Sequence, residues 1–571
     1  MKKRQILPLC IVLSIALFGV SVIAAGQVSA MFGKDAPANS VSITLLDTTD
    51  THGWIEPWDY YADKPANLGL AKIATLIKQQ RAEAPDLLLL DCGDTIQGTP
   101  LAYYFAEKDT SKPNPMIAAF NLLRYDVMAV GNHEFNFGEE VMWKAKGESN
   151  FPWLAANIKG TYTKGVPHFQ PYIIKNVSGV RVGIVGFVTP GIPRWEIPDH
   201  YKGYKFEPIV TAAKRVVPEV RRQADLLVVI LHSGFYTDPV SGESWPEQLP
   251  GENVAPDLAE VPGIDVIFYG HTHSELPEKF VNGVLMAQPK NWGMSLARAD
   301  VEMNRNADGH WQVVSKHSQT IPVTAQVEAD PEMMKLAEPY HQETEKYLDT
   351  PIARSPTDFS GKYARYEDSP LLDVIQSAQL QAGHADVSMA TMLYAGVHIP
   401  AGSVTVRQAA ALYIYENTLY VVEMTGEQLR AALEHAASFF SQWPVSPGAT
   451  IKLPSYNADQ AAGVSYEIDL TKPVGQRILN LQFHGKPLDA QQRLRVAINN
   501  YRYTGGGGYS VYKGLPVLFR SSSEIRELLI DYLSRTKAIA AEAIENWRME
   551  PPEAVAAIEH AADANIGVQS K

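Results

Sequence analysis

Residues 41–53 read VSITLLDTTDTHG, an apolar, β-branched run that breaks at once into Asp, Thr, His and Gly. The same grammar recurs in APDLLLLDCGD (84–94), YDVMAVGNHE (125–134), VRVGIVGFVTP (180–190), ADLLVVILHSG (224–234) and IDVIFYGHTH (264–273). Near-continuous apolar runs of this length predict strands buried on both faces, each delivering a polar loop at its carboxyl end. Between them lie helical patterns, LGLAKIATLIKQQRAEA (68–84) and PIVTAAKRVVPEVRRQ (208–223), as expected of a layered α/β domain. KNVSGVR (175–181) predicts a tight hairpin.

Outward from this core, ADPEMMKLAEPYHQETEKYL (329–348) predicts a connecting helix, with a second α/β domain over 349–548 and an Ala- and Glu-rich tail over 549–571. The second domain offers helices at SPLLDVIQSAQLQAG (369–383) and TGEQLRAALEHAASFF (425–440), and a glycine cluster in NNYRYTGGGGYSVY (499–512). That cluster lacks the lysine and following helix of a P-loop, so it also reads as a flexible loop. The first domain is expected over 36–328.

At the amino terminus, Lys2, Lys3 and Arg4 precede an apolar run from Ile6 to Ala25, and Val28-Ser29-Ala30 offers small residues for cleavage. Residues 1–30 therefore read as a signal peptide, with an uncleaved membrane anchor as the alternative. The expected location is exported, periplasmic or extracellular. Cys10 lies within the run, which leaves Cys92 as the mature chain's single cysteine and allows no intrachain disulfide. A net charge of -13 argues against binding long nucleic acid, which needs clustered Lys and Arg. A protein of this charge that handles phosphate needs bound cations to neutralise it.

Seven strand-end residues can supply such cations with ligands. Asp50 and His52, two apart in an extended segment, point the same way. Asp94 follows the second run, and a carboxylate with two oxygens can bridge two metals. Asn132 offers a neutral oxygen, and His133 beside it is placed to act on substrate. His232, His271 and His273 follow the last two runs. Each alone reads as a cap or an ordinary histidine; the ordered set D-x-H, GD, GNHE, H and GHTH at strand carboxyl ends reads as a metal site. Two divalent cations sharing one carboxylate suit in-line displacement at phosphorus. The mixed N and O ligands allow Zn, Mn, Fe or Co.

These blocks resemble the calcineurin-like metallophosphoesterases, specifically their exported 5'-nucleotidase family. The resemblance implies a four-layer αββα sandwich followed by a 5'-nucleotidase-type substrate domain. It implies one metal held by Asp50, His52, Asp94 and His273, and a second by Asp94, Asn132, His232 and His271. It gives His133 the role of stabilising the transition state or assisting the leaving group. It also makes Tyr415 and Tyr501 the two aromatic residues that sandwich a base, with Asn417 as a polar base contact.

Three positions depart from the 5'-nucleotidases proper. Asn136 stands where an Asp usually partners the catalytic histidine, so His133 is expected to lack an anionic partner. TMLYAGVHIP (391–400) has no phosphate-holding arginine, and Gly507 replaces an Asp for ribose hydroxyls. These features, with TTDTHGWIEPWDYY, GDTIQGTPL and LYIYENTLYVVEMTGEQL, are similar to the bacterial 2',3'-cyclic-nucleotide 2'-phosphodiesterase/3'-nucleotidase branch. The implied partner is a small nucleotide. The alternatives are a broad 5'-nucleotidase or nucleotide-sugar hydrolase, and an exported nucleotide-binding protein without catalysis, against which the seven intact ligands argue.

Overall fold

The computed structural model describes residues 39–160, 169–242, 250–415, 417–446, 450–453 and 456–569. The expected signal peptide lies outside them. Among the described residues, no helix is long and apolar enough to cross a membrane.

The apolar runs form strands β1 (Ser40–Thr48), β2 (Leu88–Asp91), β3 (Val127–Ala129), β4 (Trp153–Leu154), β5 (Tyr172–Val177), β6 (Val180–Val188), β7 (Leu226–His232), β8 (Val266–Tyr269), β9 (Leu276–Val281), β10 (Val284–Gln288), β11 (Ser295–Arg305) and β12 (Trp311–Pro322). They make two six-stranded sheets, in the orders β12-β11-β1-β2-β3-β4 and β9-β10-β8-β7-β6-β5. Strands β1 to β4 are mutually parallel, as are β6, β7, β8 and β10. The β5–β6 hairpin turns at Ser178 and Gly179, both with positive φ, which matches the right-handed twist of the paired strands.

Alternation along each strand makes the layers. Ile43, Leu45, Leu88 and Leu90 of one sheet pack against Val182, Ile184, Val228 and Ile230 of the other. The intervening residues face outward: Leu46 and Leu89 meet helices α1 (Leu70–Glu83) and α2 (Pro115–Leu123), and Leu227, Val229 and Leu231 meet α3 (Ile209–Arg221). The result is helix, sheet, sheet, helix, with the period-two side chains of each sheet facing the other sheet on one side and helices on the other.

Helix α4 (Pro331–Leu348) follows, capped by the Asp330 carboxylate, which accepts from the amides of Glu332 and Met333. Beyond it, strands β13 (Val387–Ala390), β14 (Thr418–Thr425), β15 (Gln460–Ala462), β16 (Arg493–Asn499) and β17 (Val517–Glu524) form a sheet in the order β15-β13-β16-β14-β17. Its two faces again alternate: Leu419 and Val421 pack under α5 (Pro370–Gly383) and α7 (Ile525–Thr536), and Val422 and Met424 under α6 (Gly426–Ala437). The core beneath α5 and α7 is continuous, through α4, with the helical layer over β1 and β2. The terminal segment belongs to this second half. Trp547–Glu550 pairs with Val464–Asp469, and Ala554 and Ile558 of the last helix are buried in its core.

Glu56 lies buried in the seam against α4, where burial, then Glu338 and Glu345, push its carboxyl up to about 7. A raised carboxyl binds its proton more tightly in the folded state. That contribution is complete below the unfolded value of 4.5 and lost as pH rises through 7. Glu56→Gln is therefore expected to leave the melting temperature unchanged at pH 4.5 and to stabilise the protein by about 1 kcal/mol at pH 8. An equal shift at both pH values, measured by thermal unfolding, would contradict this.

Candidate metal centre

Asp50, Asp94 and Asn132 sit just past the ends of β1, β2 and β3; His232 ends β7, and His271 and His273 follow β8. These ligand-bearing strands are mutually parallel within their sheets, so their ends share one rim. The two rims meet there. Asp50, His52, Asp94, His271 and His273 all have φ between 46° and 76°, a left-handed backbone that costs non-glycine residues of order 1 kcal/mol or more each. Backbone hydrogen bonds hold it: the amides of Asp50, His52 and Gly53 donate to the carbonyls of Gly93, Asp94 and Thr95 at 2.9–3.0 Å. Each left-handed residue turns its side chain inward while the neighbouring loops stay zipped.

Two groups of ligand atoms result, Asp50 with His52 and His273, and Asp94 with His232 and His271. In the first, Nε2 of His273 is 3.1 Å from Nε2 of His52 and 3.3 Å from Oδ1 of Asp50. In the second, Oδ2 of Asp94 is 2.9 Å from Nε2 of His232, which is also 3.1 Å from Oδ1 of Asn132. The same Asp94 oxygen lies 3.9 Å from Nε2 of His52 and 4.0 Å from Nε2 of His133. Asp94 thus stands between the groups, and His133 overlooks them.

The donor set fits divalent cations. His52 Nδ1 donates to the Gln97 carbonyl at 3.1 Å and His232 Nδ1 to the Cys92 carbonyl at 2.7 Å, so both rings turn Nε2 into the site. Burial, then the charge of His273, pushes His52 down to about 3 and keeps its Nε2 a lone-pair donor. Burial opposes ionisation of Asp94, yet His232 and His133 hold it well below the usual carboxylate range. His271 Nε2 faces Glu252 at 3.2 Å, which leaves its Nδ1 free. Converging nitrogens and carboxylate oxygens of this kind suit a borderline-hard metal. Asp50, Asp94 and His232 are closed to solvent, whereas the side chains of His133 and His273 are 26% and 41% exposed, so substrate must approach from their side.

Several supporting residues escaped the sequence reading. Glu134, inside GNHE, accepts from the amides of Gly131, Asp94 and Thr95 at 2.6–3.0 Å and so fixes the Asp94 loop. Gly131 and Gly270 are needed for close approach. A Cβ at Gly131 would come within 2.2 Å of Asp94 Oδ1, and one at Gly270 within 2.6 Å of Asp50 Oδ2. His133 also has a partner chain. Its Nδ1 donates to Oδ1 of Asn136 at 2.5 Å, and Nδ2 of Asn136 donates to the buried carboxylate of Glu196 at 2.8 Å. On the Nδ1 side, a carboxylate thus lies one residue beyond Asn136, while Asp94 faces Nε2 at 4.0 Å.

In the second domain, Tyr415 and Tyr501 are 44% and 40% exposed, and Asn417 is half-buried between β14 and the preceding loop. Tyr415 has Tyr456 at 6.0 Å, and Tyr501 lies flat over Gly506, where a Cβ would strike the ring at 2.4 Å. The glycine cluster is an ordered turn: Arg502 is buried, pairs with Asp459 and donates to the Gly506 carbonyl. Gly507, at φ 75°, has no room for a side chain, since a Cβ would meet Asn457 at 2.5 Å and Arg502 at 2.7 Å. Arg365 reaches the arginine-free segment 391–400 from outside, donating to the carbonyls of Met392 and Leu393 near Tyr415.

Residues 43–275 match the calcineurin-like phosphoesterases, and residues 349–514 match the C-terminal domain of the 5'-nucleotidases. The chain belongs to the calcineurin-like phosphoesterases that carry this second domain, and it is an enzyme of phosphoric ester hydrolysis. It is 32% identical to a 2',3'-cyclic-nucleotide 2'-phosphodiesterase/3'-nucleotidase of Haemophilus influenzae over 90% of this chain and 88% of that one. It is 30% identical over 91% of its length to the trifunctional nucleotide phosphoesterase YfkN of Bacillus subtilis, of which it spans 39%. A Staphylococcus aureus 5'-nucleotidase candidate, solved with α-ketoglutarate, superposes with a TM-score of 0.73 at 27% identity over 90% of this chain and all of the other.

Asp94→Ala is expected to lower bound metal from about two ions per chain to one or none and to cut turnover by about a thousandfold. Metal analysis of the purified variant checks this. Unchanged metal content and activity would remove Asp94 from between the two groups.

Proposed function

We propose that this chain is an exported two-metal phosphohydrolase that converts 2',3'-cyclic nucleotides and 3'-nucleotides to nucleoside and phosphate. The observation that carries the reading is the pair of donor groups meeting at Asp94 with His133 beside them, on the face left open to solvent. Cations held by Asp50, His52, Asp94 and His273, and by Asp94, Asn132, His232 and His271, would supply positive charge to the phosphoryl oxygens and activate water for in-line attack. His133 directs Nε2 toward that position and, protonated on both ring nitrogens, donates a hydrogen bond to the departing oxygen. Relatives named as cyclic phosphodiesterase/3'-nucleotidases, and Asn136 in GNHEFNFG, support this substrate over a 5'-nucleotide. The basic start and apolar run of residues 1–30 support export.

The second domain positions the nucleoside. Tyr415 and Tyr501 stack on the base and Asn417 contacts its edge; stacking tolerates every base because each presents a π-face. The filled space at Gly507 fits a substrate whose ribose hydroxyls are tied up in a cyclic ester.

Initial rates on 2',3'-cyclic AMP, 3'-AMP and 5'-AMP test the substrate order. Higher kcat/KM on the first two is expected, and a clear preference for 5'-AMP would overturn the assignment. Tyr501→Ala is expected to raise KM about tenfold with kcat nearly unchanged, as loss of one stacking face implies. A fall in kcat with constant KM would take Tyr501 out of base binding.

A further inference from the structure

The loop after β6 holds the carboxylate that ends the His133–Asn136 chain. Glu196 is 5% exposed, and both its oxygens are engaged: Oε1 accepts from Nδ2 of Asn136 and Oε2 from Nδ1 of His200, each at 2.8 Å. Its segment is pinned on two other sides. The Trp195 ring lies 5.6 Å from that of His271, and the Arg194 carbonyl accepts from the Tyr420 hydroxyl of the second domain at 2.8 Å. Glu196 is therefore a fixed acceptor behind Asn136.

We propose that Glu196 is a positioning residue for His133, acting through Asn136, and that positions 136 and 196 form one functional unit. This rests on the reading of His133 as the residue that meets the leaving oxygen. An asparagine amide has a donor end and an acceptor end and could face either way. The Glu196 carboxylate accepts only, so it draws Nδ2 and leaves Oδ1 facing His133. Oδ1 in turn accepts only, so Nδ1 of His133 always carries a proton, and Nε2 is held toward the site, where it donates when the ring is the imidazolium. A neutral residue at 196 leaves the amide free to turn, and His133 then loses its fixed orientation.

The same geometry explains why 136 is not an aspartate. An Asp there would place a carboxylate oxygen where Nδ2 now stands, 2.8 Å from Oε1 of Glu196, with Glu196 buried and residue 136 partly so. Two carboxylates at that distance cannot both stay ionised. Two combinations satisfy every atom: the native Asn136 with Glu196, and the reverse arrangement, an aspartate at 136 accepting from an amide at 196. The histidine's carboxylate is thus held one residue outward, with Asn136 as the spacer.

A double-mutant cycle tests this, using the full-length, metal-loaded enzyme with Asn136→Asp, Glu196→Gln and the two combined. The substitutions keep side-chain volume, and metal content is measured for each. Rates are read on 2',3'-cyclic AMP and on bis(p-nitrophenyl) phosphate, which needs no base recognition. Glu196→Gln is expected to lower kcat about tenfold and Asn136→Asp about a hundredfold, with KM and metal content unchanged. The double variant is expected to recover to within about fivefold of the parent, which a structural role alone does not produce. A double variant as slow as the product of the two single losses on both substrates overturns the proposal. Rescue on the aryl ester without activity of the parent on nucleotides would sink the substrate assignment and leave the positioning role standing.

Discussion

The site depends on one buried carboxylate. Asp94 sits where the rims of the two sheets meet, with His232 from the second sheet 2.9 Å away and His52 and His133 from the first at 3.9 and 4.0 Å. An isolated carboxylate in such a place would be severely penalised, and burial does oppose its ionisation. The surrounding imidazoles reverse that balance. Much nearby backbone serves the same end: left-handed ligand residues, Glu134 gathering three loop amides, and Gly131 giving Asp94 the space a methyl group would take. Such strain persists only where the surrounding packing dictates it, here the two-sheet core directly beneath.

The parts legible in the sequence are those written in local pattern. Continuous apolar runs announce strands buried on both faces, and the polar break after each marks the carboxyl rim, so Asp50, Asp94, Asn132, His232, His271 and His273 could be grouped before any contact was known. The supporting residues are of another kind. Glu196 lies 60 residues from Asn136, and Glu252 meets His271 from a loop with no strand-end signal. Arg365 reaches the 391–400 segment across 27 residues. Such contacts depend on loop paths over the rim, which no periodicity encodes. The closing segment past Arg548 likewise looks like a tail, because its Ala-rich composition hides that Ala554 and Ile558 fill the second core.

The two halves are joined by packing. The core over β1 and β2 runs through α4 into α5 and α7, and polar contacts follow the same seam: Arg407 donates to the Tyr60 carbonyl and pairs with Glu345, and Gln97 donates to Glu524. A large apolar interface restrains relative motion of two domains. Gln97 is also the residue whose carbonyl orients His52, so one short loop both directs a candidate ligand and touches the second domain. The Glu196 loop does the same through Tyr420. Seating the substrate domain and orienting the imidazoles are therefore mechanically linked.

Charge decides how phosphate can be held. The chain carries -13 overall, and the guanidinium nearest the arginine-free segment, Arg365, is turned to backbone carbonyls. Neutralisation thus falls to the rim. Of its seven candidate ligands, only Asp50 and Asp94 bring negative charge; the others are imidazoles and an amide. Two divalent cations there would keep about two positive charges unspent, enough for the monoanion of a cyclic diester or the dianion of a monoester. A rim richer in carboxylates would hold metal more tightly and phosphate less. Keeping Glu196 behind Asn136 spares that surplus: it orients His133 without setting its own negative charge against the incoming phosphate.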